Sequence, residues 1–281
     1  MSHGAEIAKG ERFAFGENWS QFLTHLDEER IALAERSLVE MLEIDSLAGK
    51  RFLDVGSGSG LFSLAARRLG AEVTSFDYDP ASAACTASLR QRYFPNDPAW
   101  TVTEASVLDR SFLASLGRFD VVYSWGVLHH TGAMWEALAN VAPLVAGEGQ
   151  LFIAIYNDQG RQSRRWQRIK RAYVGSSKPV RAALVTYALA KTWFKTIVYD
   201  AMHGNPLRSW RGYGKVSTRG MHPWRDLLDW VGGYPFEVAT PEAILDFYRG
   251  RGFELVRMKT CGGGLGCNEF VFRRNKTASA S

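Results

Sequence analysis

The sequence predicts an α/β protein: a doubly wound, mostly parallel seven-stranded sheet with an antiparallel last strand, interrupted by a helical lid insertion. Three observations predict it. Strand-like apolar runs alternate with helix-like segments between residues 50 and 157. The first of these runs enters a glycine-rich turn, DVGSGSG, and an acid, Asp77, follows 21 residues after Gly56. Near the C-terminus, FELVRMKT and NEFVFRR flank CGGGLGC and read as an antiparallel hairpin.

Residues 20–47 carry apolar side chains at helical spacing, from Phe22 and Leu23 to Met41 and Leu42, and read as one helix. RFLDV is then a strand, and LFSLAARRLG a helix closed by Gly70. AEVTSFDYDP is a second strand stopped by Pro80, ASAACTASLRQRYF a helix, and WTVTEASVLD a third strand. FDVVYSWGVLHH is a fourth strand, GAMWEALANVAPLV a helix, and GQLFIAIYN a fifth strand. Regular order stops at residue 158 and resumes at TPEAILDFYRGRGF, where Thr240 caps a helix with Pro241 in its first turn. The expected organisation is an N-terminal helical cap (1–49), a core (50–157 and 238–274), an inserted lid (158–237) and a disordered tail (275–281).

The glycines allow a tight turn and a close approach of backbone to ligand, and a carboxylate at Asp77 can accept from both hydroxyls of a ribose. Dinucleotides and S-adenosylmethionine both fit that layout. The dinucleotide turn is G-x-G-x-x-G, whereas here it is G-x-G-x-G. With FLDVGSGSG, VTSFDYDP, EASVLD, FDVVYSWGVLHH and the terminal hairpin, the chain resembles the class I S-adenosylmethionine-dependent methyltransferases. Its motif layout is similar to the ubiquinone-biosynthesis type, although GVLHH replaces the acidic cluster that some of those carry after strand four. The resemblance implies S-adenosylmethionine as cofactor and the following roles. Asp54 orders the turn; Gly56, Ser57, Gly58 and Gly60 form it. Asp77 holds the ribose, Tyr78 packs beside the adenine, and Ser106 and Val107 meet the adenine edge. The Ser124 carbonyl takes the methionine ammonium. Trp19, with Phe15 and Asn18, covers the cofactor from the N-terminal side.

Methyl transfer to a hydroxyl needs alignment and a base. His129 and His130 follow strand four at the carboxyl end of the sheet, where open α/β sheets bind ligands. Read as strand residues, they point to opposite sides, so at most one reaches the acceptor. Tyr156, a third catalytic candidate, and Asn157 end strand five, face the same region and can orient a polar acceptor, and Asn268 by the hairpin turn is expected to add a polar contact to it. No H-x-x-x-H or C-x-x-C pattern accompanies these residues, so no metal is expected.

The net charge of +5 is unevenly spread. Residues 161–225 hold fifteen Lys or Arg and one acid, Asp200, a local +14 against −9 for the rest. The same insertion holds Trp166, Trp193, Trp210, Trp224 and Trp230. Arginine forks at Arg164 and Arg165, with His222, are expected to contact an anionic acceptor. Residues 179–199 read as an amphipathic helix that suits an embedded lid or an anionic membrane surface. MSHGAEIAKGERF lacks an apolar h-region, three cysteines are too few for a disulfide framework, and no apolar run nears the roughly 20 residues of a span. A cytoplasmic, at most membrane-peripheral, protein is therefore expected. The leading functional expectation is O-methylation of an anionic small-molecule, sugar or lipid-linked acceptor. The alternatives are an RNA methyltransferase that grips the nucleic acid through 161–225, and a non-catalytic cofactor-binding or membrane-associated module.

Overall fold

A computed structural model describes residues 3–24, 26–216 and 223–276; the expected tail beyond residue 276 lies outside them. In chain order the elements are α1 (His3–Ala8), α2 (Gly16–Thr24), α3 (Glu28–Leu42), β1 (Arg51–Val55), α4 (Leu61–Arg68), β2 (Glu72–Asp77), α5 (Pro80–Tyr93), β3 (Trp100–Glu104), α6 (Arg110–Leu116), β4 (Phe119–Trp125), α7 (Met134–Val141), β5 (Val145–Tyr156), α8 (Arg161–Gly175), α9 (Lys178–Met202), α10 (Arg208–Val216), α11 (Pro223–Gly232), α12 (Pro241–Arg249), β6 (Phe253–Lys259) and β7 (Cys267–Arg274). The strands form one sheet in the order β3-β2-β1-β4-β5-β7-β6. All pairings are parallel except those of β7, which runs antiparallel to both β5 and β6.

Period-two alternation along the strands builds a core on each face of the sheet. Leu53, Val55, Val122 and Ile153 face α7 and α12, whereas Phe52, Val121, Tyr123 and Phe152 face α3 and α4. Carboxylates start several helices. Asp79 accepts from the Ala81 N–H with Pro80 in the first turn of α5, and Asp109 accepts from the Ser111 and Phe112 N–H groups at α6. The single helix expected over 20–47 is two: the Asp27 side chain caps a new helix by accepting from the Arg30 N–H. The expected fourth strand also ends earlier than read, at Trp125, and Leu128–His130 form a 3-10 turn.

The inserted helices α8–α11 leave and re-enter the core at one point. Asn157 and Ala239 bridge in parallel, with the Asp158 N–H donating to Ala239 O and the Ala239 N–H to Tyr156 O. The insertion has a small core of its own, centred on Trp166, Val185, Ala188, Leu227, Val231 and Phe236. Within it Lys170 is fully buried, its ammonium donating to Trp230 O and lying 4.1 Å from the Trp230 ring centroid and 4.8 Å from that of Phe236. Burial pushes its pKa down to about 7, against the weaker pull of Asp229 and Cys267. The unfolded chain thus binds more protons than the folded one between about pH 7 and the ordinary lysine value. Folding stability should therefore rise with pH across that window, by up to about 1.4 kcal/mol per pH unit. Urea unfolding at pH 7 and pH 8.5 should show this slope in the parent and lack it in Lys170→Met; equal slopes would remove Lys170 as its source.

Candidate active site

The switch in strand order falls between β1 and β4, and the carboxyl ends of these strands open on a cavity of about 1440 Å³. Single-ligand pockets run to about 1,000 Å³, so this chamber has room for a cofactor and an acceptor together. Its cofactor end is built on the glycine turn. Gly56 has φ +77°, and an added Cβ would lie 2.3 Å from Val127 Cγ1. Gly58 has φ +55°, and its Cβ would press within 3.2 Å of the Trp19 indole. The turn spends its own donors: the Gly56 and Ser57 N–H groups both reach Phe76 O, Gly58 donates to Asp77 Oδ2 at 2.9 Å, and Gly60 donates to Ser57 O. Those amides are not presented to a pyrophosphate as in a dinucleotide fold. A phosphate-free adenosyl sulfonium fits this donor set, since it asks the turn for space and Asp77 for acceptors.

Asp77 lines the chamber, taking the Gly58 N–H on one oxygen and the Asp79 N–H on the other. It lies deep in the fold with one side open to the cavity, and burial raises its pKa to about 6. Asp54 is 2% exposed, accepts from the Ser63 hydroxyl at 2.5 Å, and is pushed up to about 7 by burial, with a smaller contribution from Asp77. Ser63 continues to Ser75, whose hydroxyl accepts from the Trp100 indole N–H, so the floor of the turn is one polar chain.

The other sequence-predicted cofactor residues fall into two groups. Trp19, Ser57, Tyr78, Ser106 and Val107 line the chamber with Phe15. Tyr78 donates to Glu6 Oε1 at 3.0 Å and lies under Arg12, so the N-terminal segment holds it in place. The Ser106 hydroxyl accepts from the Leu108 N–H. Gly60 and Ser124 do not line the chamber. Gly60 backs onto Thr86, and the buried Ser124 hydroxyl donates to Val55 O; Trp125, Gly126 and Val127 form the wall instead. The Asn18 side chain lies outside the described part.

The two histidines part company. His129 is fully buried, its Nδ1 accepting from the Tyr156 N–H at 3.3 Å. His130 lines the chamber, as does Tyr156. The separation comes from the 3-10 turn, not from strand alternation as the sequence suggested. His130 Nδ1 lies 2.6 Å from Pro235 O, and a carbonyl can only accept, so the neutral ring carries its proton on Nδ1 and keeps a lone pair on Nε2. Arg12 fastens the same loop by donating to His130 O and Thr131 O.

Four of the expected acceptor contacts sit elsewhere. Asn157 and Asn268 are buried and joined side chain to side chain, and they donate to Gly264 O and accept from the Cys261 N–H respectively. This clasp fixes the β6–β7 turn, whose Leu265, Gly266 and Cys267 do line the chamber. Arg164 and Arg165 are exposed on α8 and do not line it, because Ser163, Trp166, Lys170 and Val174 take the buried stripe of that helix. His222 lies outside the described residues. Sequence reasoning misses Arg12, Lys191, Arg208 and Tyr213, all of which line the chamber. No local pattern in the sequence signals either Lys191 or Arg12: Lys191 lies two residues, and so about 200° around α9, from Trp193.

A family model described as a methyltransferase domain matches residues 26–179. The tRNA U34 carboxymethyltransferase of Methylococcus capsulatus is 30% identical over 152 residues, 52% of this chain and 46% of that protein. The ubiquinone biosynthesis O-methyltransferase of Rhodopseudomonas palustris is 28% identical over 139 residues, 49% of this chain and 50% of that protein. The chain spans about half the length of these curated relatives. The magnesium protoporphyrin IX methyltransferase of Synechocystis, solved with bound S-adenosylmethionine, superposes with a TM-score of 0.51 at 12% identity, over 87% of this chain and 79% of that one.

Proposed function

The chain belongs to the methyltransferase domain family, its fold that of the class I S-adenosylmethionine-dependent enzymes, and we propose from this premise that it methylates a nucleoside of an RNA. One observation carries the RNA reading: every Arg and Lys from Arg161 to Arg211 except Lys170 is exposed, and the one acid of that stretch, Asp200, is buried. Such a surface has the charge layout of a phosphate-backbone grip. The similarity to tRNA U34 carboxymethyltransferases supports it over the free small-molecule acceptor expected from the sequence.

The cofactor, when bound, supplies a methyl group already activated by a sulfonium charge. The chain's own residues then do four things. Asp77 accepts from the ribose hydroxyls; Trp19 and Phe15 close the cofactor end against water; Tyr156 lines the acceptor's place; His130 Nε2 takes the proton of an acceptor hydroxyl or amide.

The test is tRNA binding across a salt series. The association constant should fall steeply from 50 to 200 mM salt. Arg164→Ala with Arg165→Ala and Arg168→Ala should flatten the slope by about 0.7–0.9 for each phosphate that is no longer neutralised. A protein that ignores tRNA at low salt would end this reading.

A second reading, a lipid-linked acceptor at a membrane surface, is favoured by a different observation. On α9, Phe194, Tyr199 and Met202 are 64%, 61% and 79% exposed, on the same helix as the exposed cation Lys195. An exposed apolar stripe with a lysine beside it suits an anionic bilayer interface. No helix among the described residues is long and apolar enough to cross a membrane.

A further inference from the structure

The lid end of the chamber has a charge and ring layout separate from the cofactor end. Its α9–α10 wall is lined by the cations Lys191 and Arg208 and by the rings of Trp193 and Tyr213. This corner is tied together. Asp200, 4% exposed, accepts from the Ser209 N–H at 2.7 Å and from its hydroxyl at 2.9 Å, which fastens the first turn of α10 to the end of α9. Trp193 packs edge-on against Trp210 at 4.7 Å and Tyr213 at 5.5 Å. Both oxygens of Asp200 are therefore engaged by α10, and among the described residues no ion pair joins Lys191 or Arg208 to an acid. The α11 wall is the opposite in sign: Asp226 and Asp229 line it, with the Tyr213 hydroxyl donating to Asp226.

We propose that this end is a phosphate-ester subsite. Lys191 and Arg208 hold a phosphate of the acceptor, the ring adjoining that phosphate stacks on Trp193, and the α11 carboxylates accept from the ring's hydroxyl or N–H donors. A phosphate ester suits two cations on two helices better than a carboxylate does, because its tetrahedral oxygens diverge toward a fork and an ammonium, whereas the oxygens of a carboxylate lie in one plane that a single arginine fork spans. Cations on one wall and carboxylates on another select a molecule that is anionic at one end and donor-rich at the other. Nucleotides and glycosyl phosphates share that chemistry. The inference rests on the methyltransferase reading only in placing the acceptor in this chamber.

The test is calorimetry on the full chain saturated with S-adenosylhomocysteine, titrated with uridine 5′-monophosphate, glucose 1-phosphate, uridine and glucose. At least one phosphate ester is expected to bind about tenfold or more tighter than its phosphate-free parent, a gap of about 1.4 kcal/mol. Lys191→Ala and Arg208→Ala should each close that gap, with S-adenosylhomocysteine binding reporting that each variant is folded. A preference for the nucleotide identifies a nucleic acid as the source of the phosphate, and a preference for the sugar phosphate identifies a glycoconjugate. Equal binding of esters and parents, or variants that keep the gap, overturns the subsite. If S-adenosylhomocysteine itself does not bind, it is the methyltransferase reading that has failed.

Discussion

Replacing Asp77 by asparagine should weaken S-adenosylhomocysteine binding about 100-fold or more. Asp77 uses one carboxylate oxygen for the Gly58 N–H and the other for the Asp79 N–H. An asparagine has a single acceptor oxygen, so one of these amides would face an NH2 group, and the turn that shapes the cofactor site would lose a fixed point. The ribose hydroxyls would also lose a charged acceptor. Hydrogen bonds to charged groups contribute about 1.5–3 kcal/mol each, and two of them exceed a hundredfold in affinity. The same carboxylate sets a pH dependence. It titrates near pH 6 in the free protein because burial raises it, and hydroxyl donors favour its ionised form. Cofactor affinity should therefore be level above about pH 6 and fall below it, by up to tenfold per pH unit. In Asp77→Asn that limb should vanish. Asp54 should ionise more readily there, since Asp77 is one of the groups holding its pKa up. Calorimetry from pH 5 to 8 measures both effects. An unchanged affinity would remove Asp77 from the cofactor site, and an unchanged acid limb would assign the titration to another group.

The sheet and its nucleotide-type site were legible in the sequence because they rest on local chemistry. A strand, a turn that needs positive φ, a capped helix and an acid at a strand end each leave a residue pattern. The alternation of Phe52 with Leu53, and of Val121 with Val122, already assigns them to opposite faces. The split of the N-terminal helix was legible too, in Asp27 followed by Glu28 and Glu29, a cap and first turn that the longer apolar periodicity hid. Arg164 and Arg165 are a question of helical phase: Ser163, Trp166, Lys170 and Val174 form the inward stripe, which turns the arginines outward. Lys170 breaks that logic, because a lysine on the buried stripe reads as polar until Trp230 O and two aromatic faces are brought to it from 60 residues away. The Asn157–Asn268 clasp and the Arg12 anchor were illegible for the same reason. They join positions 111 and 118 residues apart, and no local pattern encodes such pairs.

The second large effect concerns His130. Replacing it with phenylalanine should lower single-turnover methyl transfer about 100- to 10,000-fold, the range over which a positioned base contributes, while leaving S-adenosylhomocysteine affinity within about twofold. The choice of residue follows from the geometry. Phenylalanine keeps the ring that packs on Phe15 at 5.0 Å and on Tyr156 at 5.6 Å, so the wall survives. It removes the Nδ1–H donated to Pro235 O and, with it, the lone pair that this bond leaves on Nε2 by fixing the tautomer. The loop itself stays fastened through backbone contacts that the substitution does not touch: Arg12 on His130 O and Thr131 O, and the Glu237 N–H on His129 O. A loss in the rate of the chemical step with intact cofactor binding therefore reports the base and not the scaffold. His130→Gln sharpens the test. Its side-chain oxygen can accept a hydrogen bond but cannot take up a proton at neutral pH, so it should stay as slow as phenylalanine if proton removal is the role, and recover activity if orientation is. Full activity in both variants would exclude His130 as the base and direct attention to the α11 carboxylates that share the chamber.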